Sequence, residues 1–522
     1  MRHSGLLLHF SSLPGPGGIG DLGPEAHKFL ERLVRGGQRA WQVLPLGPTG
    51  YGDSPYQTAS VIANNPLLIS LEALVRAGLL DAADLAGAPP ASDTADYAAA
   101  QAYKRPRLEK AWTRLQAAQN GQVTGTKSDL GPLVRDFAAY CVAEKDWLDE
   151  YALFMAIKEE CGLRPWTMWP ALLRDREPQA LAQARVRLAA RCSLHSFMQW
   201  QLDRQFTALR SAARTAGIEL IGDVPIFVAH DSVEVWTERE QFLLHDDGLL
   251  RVQAGVPPDY FSKTGQLWGN PLYEWLRMQE GGFTFWKRRV ERAARMFDRV
   301  RIDHFRGFAA HWEVAGDAET AEIGRWVPAP GRALFQALRE HPGTAEARFI
   351  AEDLGVITED VEELRDHFAF PGIRVLQFSF GEDDNFDGRP WAFRKNMVVY
   401  TSTHDNATIM GWYRGETDGT RTAAQAARER DKIHDYLGHN PTPDYAHFAL
   451  IRLAMATVAD TVITPVQDVL GLGNAARMNT PGIPEGNWKY RLLPGQLDNG
   501  RLDHLRHITK LYGRIPTVSV KV

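Results

Sequence analysis

Residues 300–308 read VRIDHFRGF. Val300, Ile302 and Phe305 give this run the apolar character of a buried strand, yet Arg301, Asp303, His304 and Arg306 sit among them. Side chains two apart on a strand share a face, so Arg301 and Asp303 are expected to point the same way. The alternation breaks at Asp303-His304, which predicts the end of the strand there. Seven other β-rich apolar runs occur: GLLLHF (5–10), AWQVLPL (40–46), IELIGDVPIF (218–227), RFIAEDL (348–354), IRVLQFSF (373–380), NMVVYTSTHD (396–405) and TVITPVQDVL (461–470). Helix-compatible stretches such as GPEAHKFLERLVRGG and ITEDVEELRDHFAF lie between most of them. Strands alternating with helices imply a parallel sheet. Eight such units imply a closed (β/α)8 TIM barrel, with an open doubly wound sheet as the alternative.

One interval is too long for a single crossover. From about Leu71 to Arg210 the chain is rich in Ala, Leu, Arg and Glu, and YAAAQAYKRPRLEKAWTRLQAAQ has helical periodicity. The expectation is a mainly helical subdomain, 71–210, inserted after the second strand. The catalytic barrel would comprise 1–70 and 211–522.

The net charge of −5 argues against a nucleic-acid surface. No stretch approaches a membrane span, and the LLL near the start is too short for a signal-peptide core. Cys141, Cys161 and Cys192 form no CxxC pair and no zinc-ligand spacing. A reducing compartment, and hence a cytoplasmic enzyme, is the simplest reading. The 15 tryptophans are many; most are expected in the core, although an exposed indole can stack on a sugar ring.

Chemistry in such a barrel sits at the carboxyl ends of the strands. Asp223, Asp303, Glu352 and the pair His404-Asp405 fall at those ends, on different strands. A single strand-end aspartate often caps the next helix, and Asp353 and Asp53 read that way. Barrel closure would aim the other four positions at a common centre. There is no nucleophile elbow and no phosphate loop; GPTGYGDSPYQ is glycine-rich without the Lys-Ser/Thr ending, and GLGNAA lies too near the C-terminus to open a dinucleotide fold. The histidines are scattered, with no HExxH or His-x-His spacing, so a metal site is the minority reading. Paired carboxylates without metal suit glycoside chemistry, one attacking the anomeric carbon while the other protonates the leaving oxygen. Arg301 would then keep Asp303 ionised. On the residues alone, a structural ion pair inside the barrel is the equal alternative.

RIDHFRGF, AEDLG and STHDN resemble the second, third and fourth active-site regions of the α-amylase clan, and IGDVPIFVAHDSVEVW resembles the first. Their variant forms, with GLLLHFSSLPGPGGIGDLG, WQVLPLGPTGYGDSPYQTASVIANNPLLISLE, AGVPPDYFSKTGQLWGNPLY and LGLGNAARMNTPGIPEGNWKYR, resemble the amylomaltases, or 4-α-glucanotransferases. The resemblance implies a retaining transferase that moves α-1,4-glucan segments between maltooligosaccharides, with no cofactor. It implies Asp303 as nucleophile, Glu352 as acid/base and Asp405 as the group that holds sugar hydroxyls and stabilises the transition state. Arg301 would hold Asp303 ionised. His304, His404, Asp223, Tyr56, Ser54 and Asn474 would line the donor side. Residues 260–270, YFSKTGQLWGN, resemble a flexible loop over the acceptor side, with Gln266 and Trp268 as sugar contacts. A hydrolase of the same clan and a non-catalytic glycan-binding barrel are the other readings; the residues alone do not separate transfer from hydrolysis.

Overall fold

The computed structural model describes residues 2–121, 129–258, 264–381, 388–416, 421–483 and 485–515. Among them are twelve strands: β1 (His3–Leu7), β2 (Ala40–Gln42), β3 (Glu219–Pro225), β4 (Val252–Val256), β5 (Gln266–Pro271), β6 (Arg299–Asp303), β7 (Ala310–Ala315), β8 (Gly324–Pro328), β9 (Phe349–Ala351), β10 (Gly372–Val375), β11 (Met397–Tyr400) and β12 (Thr461–Pro465). Eight of them close a parallel barrel in the order β1-β12-β11-β10-β9-β6-β3-β2. Each of the eight runs read from the sequence holds one of these strands. The fold is therefore the expected (β/α)8 barrel.

The strands stop earlier than the apolar runs do. In residues 373–380 the strand ends at Val375 and a tight 3-10 turn takes over from Leu376 to Phe380. In residues 461–470 it ends at Pro465, which has no N–H for the ladder, and a short helix begins at Val466. At the opening motif β6 ends at Asp303 and His304 turns left-handed, with φ 51°.

Outside the barrel, helix Pro24–Arg35 shows how the layers pack. It starts with proline in its first turn and buries Ala26, Phe29, Leu30 and Leu33, one helical stripe. Phe29 lies against Trp41, ring centroids 4.7 Å apart. Between β3 and β6, Phe297 packs so closely on Gly222 that a Cβ there would lie 2.2 Å from its ring.

Between β2 and β3 run the long helices Tyr97–Gln119, Gly131–Ala143, Lys145–Glu160, Pro178–Arg187 and Ala189–Thr215. The last passes unbroken through residue 210, where the sequence placed a boundary. Phe206, on this helix, packs edge-on against Phe10 and Phe297, so its C-terminal half already belongs to the barrel's outer layer. Lys104 ties the first of these helices to the barrel side. It is buried and donates to Asp21 (2.8 Å), the Leu67 carbonyl (2.7 Å) and the Ile69 carbonyl (2.9 Å). Lys104→Met leaves those acceptors unmatched and should lower stability by about 3 kcal/mol, read from denaturant melting.

A second sheet was not foreseen. Strands β5-β4-β7-β8 form an antiparallel sheet beside the barrel. The segment expected as a flexible loop is in part a strand here, because the backbone of residues 266–271 pairs with β4. Residues 259–263 lie outside the described residues. No helix among the described residues is long and apolar enough to cross a membrane.

Candidate active site

Barrel register brings the charged residues together. Arg301 on β6 stands beside Asp223 on β3, and Ile302 stands beside Ala351, the residue before Glu352. The Arg301 guanidinium bridges two carboxylates, Asp223 Oδ2 at 2.6 Å and Asp303 Oδ1 at 2.9 Å. Burial disfavours its charge, but the two acids outweigh burial and raise its pKa well above the ordinary value. This is the shared face expected from the two-residue spacing. Asp223 is completely buried, and burial pushes its carboxyl up despite Arg301. It also accepts a hydrogen bond from the Tyr56 hydroxyl at 3.0 Å. Asp303 instead keeps 26% of its side chain exposed, open to a reacting partner.

Glu352 follows β9 directly. Its Oε2 accepts from the His304 N–H at 2.6 Å and its Oε1 from the Leu354 N–H at 3.2 Å. A left-handed, non-glycine His304 is a costly backbone state; here it coincides with aiming that N–H at the carboxyl. Burial, aided by the negative charge of Asp303 and opposed by Arg301, pushes Glu352 up to about 8. Glu352 thus has the environment of a carboxyl kept protonated, as a general acid requires. Burial lowers the His304 imidazole to about 4, so it is neutral.

Asp405 behaves in the opposite way. Burial would raise it, but His404 at 3.2 Å and the Asn479 amide at 2.6 Å hold it down at about 2. Its side chain, 41% exposed, is open on one side although protein surrounds the rest. Burial opposes protonation of His404, yet Asp405, 3.2 Å away, raises its pKa. The Tyr56 ring stacks on His404, centroids 5.2 Å apart and planes 15° apart.

The remaining expected residues divide. Trp268 sets its ring edge-on to His304 at 4.8 Å and is half-buried, so it borders the cluster from β5. Gln266 lies on the same strand, its Oε1 3.5 Å from the Trp268 indole nitrogen. Among the described residues Ser54 makes no hydrogen bond to the carboxylates; its hydroxyl accepts from the Tyr56 N–H at 3.2 Å and shapes that turn. Asn474 holds the backbone together: its Oδ1 accepts from Thr408 N–H at 3.2 Å and its own N–H donates to Glu416 at 2.6 Å. Asp353 is no helix cap, since it pairs with Arg365 at 2.6 Å and accepts from Ile373 N–H.

Sequence reading missed Asn479, Arg477, Trp488 and Asp468. Asp468 is fully buried and accepts from Thr401, Ser402 and the Ile409 N–H, shaping the turn that carries His404-Asp405. The signal for the first three was the stretch LGLGNAARMNTPGIPEGNWKYR, from which only Asn474 was taken. Among the described residues no group of three or more His, Cys, Asp or Glu is placed to hold a metal ion.

A family model described as 4-alpha-glucanotransferase matches residues 8–496. The chain belongs to the 4-alpha-glucanotransferase family. It is 48% identical to the 4-alpha-glucanotransferase of Thermus thermophilus over 517 residues, covering 98% of this chain and 99% of that one. It is 41% identical to the chloroplastic/amyloplastic 4-alpha-glucanotransferase of Solanum tuberosum, covering 98% and 87%. In structure it is similar to an amylomaltase from Streptococcus agalactiae in complex with acarbose, with a TM-score of 0.89, 37% identity and coverage of 98% and 100%. This 4-α-glucanotransferase is accordingly an enzyme on a TIM barrel.

Proposed function

We propose that this 4-α-glucanotransferase moves α-1,4-glucan segments between maltooligosaccharides by a retaining double displacement. Asp303 attacks the anomeric carbon of the donor while protonated Glu352 gives its proton to the departing glycosidic oxygen. A β-glucosyl-enzyme results. Glu352, now ionised, takes the proton of an acceptor sugar hydroxyl as that oxygen attacks, and the α configuration returns. Asp405 stays anionic, accepts hydrogen bonds from sugar hydroxyls and offsets the developing positive charge. The observation that carries the reading is the split in environment: Glu352 pushed up to about 8, Asp405 held at about 2, and Asp303 on the Arg301 bridge.

Tyr56, His404, Asp223 and His304 fit a donor-sugar pocket, with Trp268 and Gln266 toward the acceptor. A half-buried indole beside a buried imidazole supports sugar stacking at Trp268. Ser54 and Asn474 act through the turns they hold. We further read residues 71–210 as an inserted helical unit whose last helix merges with the barrel. A cytoplasmic location is in keeping with Cys141, Cys161 and Cys192 being free.

Incubation with maltotriose alone tests the reaction. Transfer gives glucose together with a ladder of longer oligomers and no net gain in reducing ends. Net gain in reducing ends without longer products would contradict it. The pH dependence follows from Glu352. Its acid form is needed for the first step and is lost as pH rises through about 8, so kcat/KM should fall tenfold per unit on the alkaline side beyond that value. A flat profile up to pH 10 would remove Glu352 from the acid role.

A further inference from the structure

We infer that Asn479 is a positioning residue for the reaction: its side-chain amide fixes the rotamer and the anionic state of Asp405. This rests on the reading above that Asp405 acts as an anion on the sugar. Asn479 Nδ2 lies 2.6 Å from Asp405 Oδ1, and the other oxygen, Oδ2, faces His404 Nε2 at 3.2 Å. Two donors therefore take the two oxygens and fix the carboxylate plane. The Asn479 backbone N–H also donates to the His404 carbonyl at 2.9 Å. Arg477 clamps the same turn, donating to the Asp405 carbonyl at 2.6 Å and to the Asn479 carbonyl at 2.7 Å.

The residues flanking Asn479 are tied to their neighbours. Trp488, left-handed at φ 63° and buried, donates through its N–H to the Met478 carbonyl, and its ring lies against both Tyr56 and His404. The Ala95 N–H donates to the Lys489 carbonyl, at the entry to the inserted helices. Such support is what a preorganised donor needs, since an amide free to rotate would follow the carboxylate instead of orienting it.

The charged or titratable groups that face Asp405 are His404 beside it, Arg301 from β6 and the Tyr56 phenol, while Asp223 acts on His404 and Arg477 holds the Asp405 carbonyl. His9 faces His404 from beyond β1 and is held neutral near physiological pH by burial and by His404. It is the Asn479 amide that donates to Oδ1.

Asn479→Asp provides a readout that a merely structural role would not move. While the new carboxyl is protonated it still donates to Asp405, so the variant should work at low pH. Once it ionises, the donor is gone and a second negative charge faces Asp405 at hydrogen-bond distance. The alkaline limb of kcat/KM for maltotriose should move down by more than one pH unit from that of the unsubstituted enzyme, with the acid side preserved. Asn479→Leu lacks both donor and charge. Its kcat should fall roughly 10- to 100-fold at every pH, with KM within about threefold and a melting temperature close to that of the unsubstituted enzyme. An Asn479→Asp profile of unchanged shape, or an Asn479→Leu kcat within twofold of the unsubstituted enzyme, overturns the inference. If Asn479→Asp does not fold, the Leu variant decides alone. Asp405→Ala separates the two levels. If it stays active, the reading of Asp405 fails; if it is inactive while both Asn479 variants behave normally, only the role of Asn479 fails.

Discussion

Asp303→Asn should lower maltotriose disproportionation by roughly 10⁴-fold while the melting midpoint moves by no more than about 2 °C. The amide keeps the shape of the carboxylate and can still meet the Arg301 guanidinium, which retains its 2.6 Å partner Asp223. The strands that carry it are held by buried apolar residues such as Ile302, Ile350 and Val399, and none of that packing depends on the lost charge. What is lost is the negative charge that makes the oxygen a nucleophile toward the anomeric carbon. Side-by-side progress curves and thermal melts check both halves. A variant making the oligomer ladder at a rate near the unsubstituted enzyme would remove Asp303 from the reaction. A variant that fails to fold would instead mark the Arg301 bridge as structural, the alternative that the residues alone left open.

The second large effect is expected at Glu352. Glu352→Gln should slow transfer from maltotriose by about 10³-fold, within the range seen when a general acid is removed. A sugar hydroxyl is a poor leaving group and needs the proton. Fluoride does not, so α-glucosyl fluoride should still load the variant at a rate much closer to that of the unsubstituted enzyme. Glutamine can accept the 2.6 Å hydrogen bond from the His304 N–H, so the turn after β6 should hold. The alkaline limb near pH 8 should vanish in the loading step, because the group that titrates there has gone. Equal losses with maltotriose and with the fluoride would mean that Glu352 does something other than protonate the leaving oxygen.

Much of this site was legible from local sequence because strands obey a period of two. Arg301 and Asp303 had to share a face, and the strand had to end where the pattern failed. The register that sets Arg301 beside Asp223 was not legible, since pairing between strands 78 residues apart is a property of barrel closure. The left-handed His304 was equally hidden: the histidine was visible, but only the folded turn shows that its N–H, more than its ring, meets Glu352. The small sheet was missed because VQAGV, AHWEVA and GRWVP interleave polar and glycine residues with their apolar ones, and GQLWGN carries glycines that read as loop until a neighbouring strand supplies its hydrogen bonds. Asn474 and Asn479 stand five residues apart in one motif. Composition cannot tell which amide faces a carboxylate and which holds a backbone turn; the path of the loop after β12 decides it.

The most direct test of the mechanism is to find where the sugar is carried. Glu352→Gln is mixed with α-glucosyl fluoride without acceptor, quenched in acid and digested, and the modified peptide is sequenced by mass spectrometry. The double displacement predicts one added hexosyl unit, on Asp303, that persists even when maltose is supplied, because the base that would take the acceptor's proton has been removed. A hexosyl unit on any other residue, or release of fluoride with no adduct at all, would contradict it.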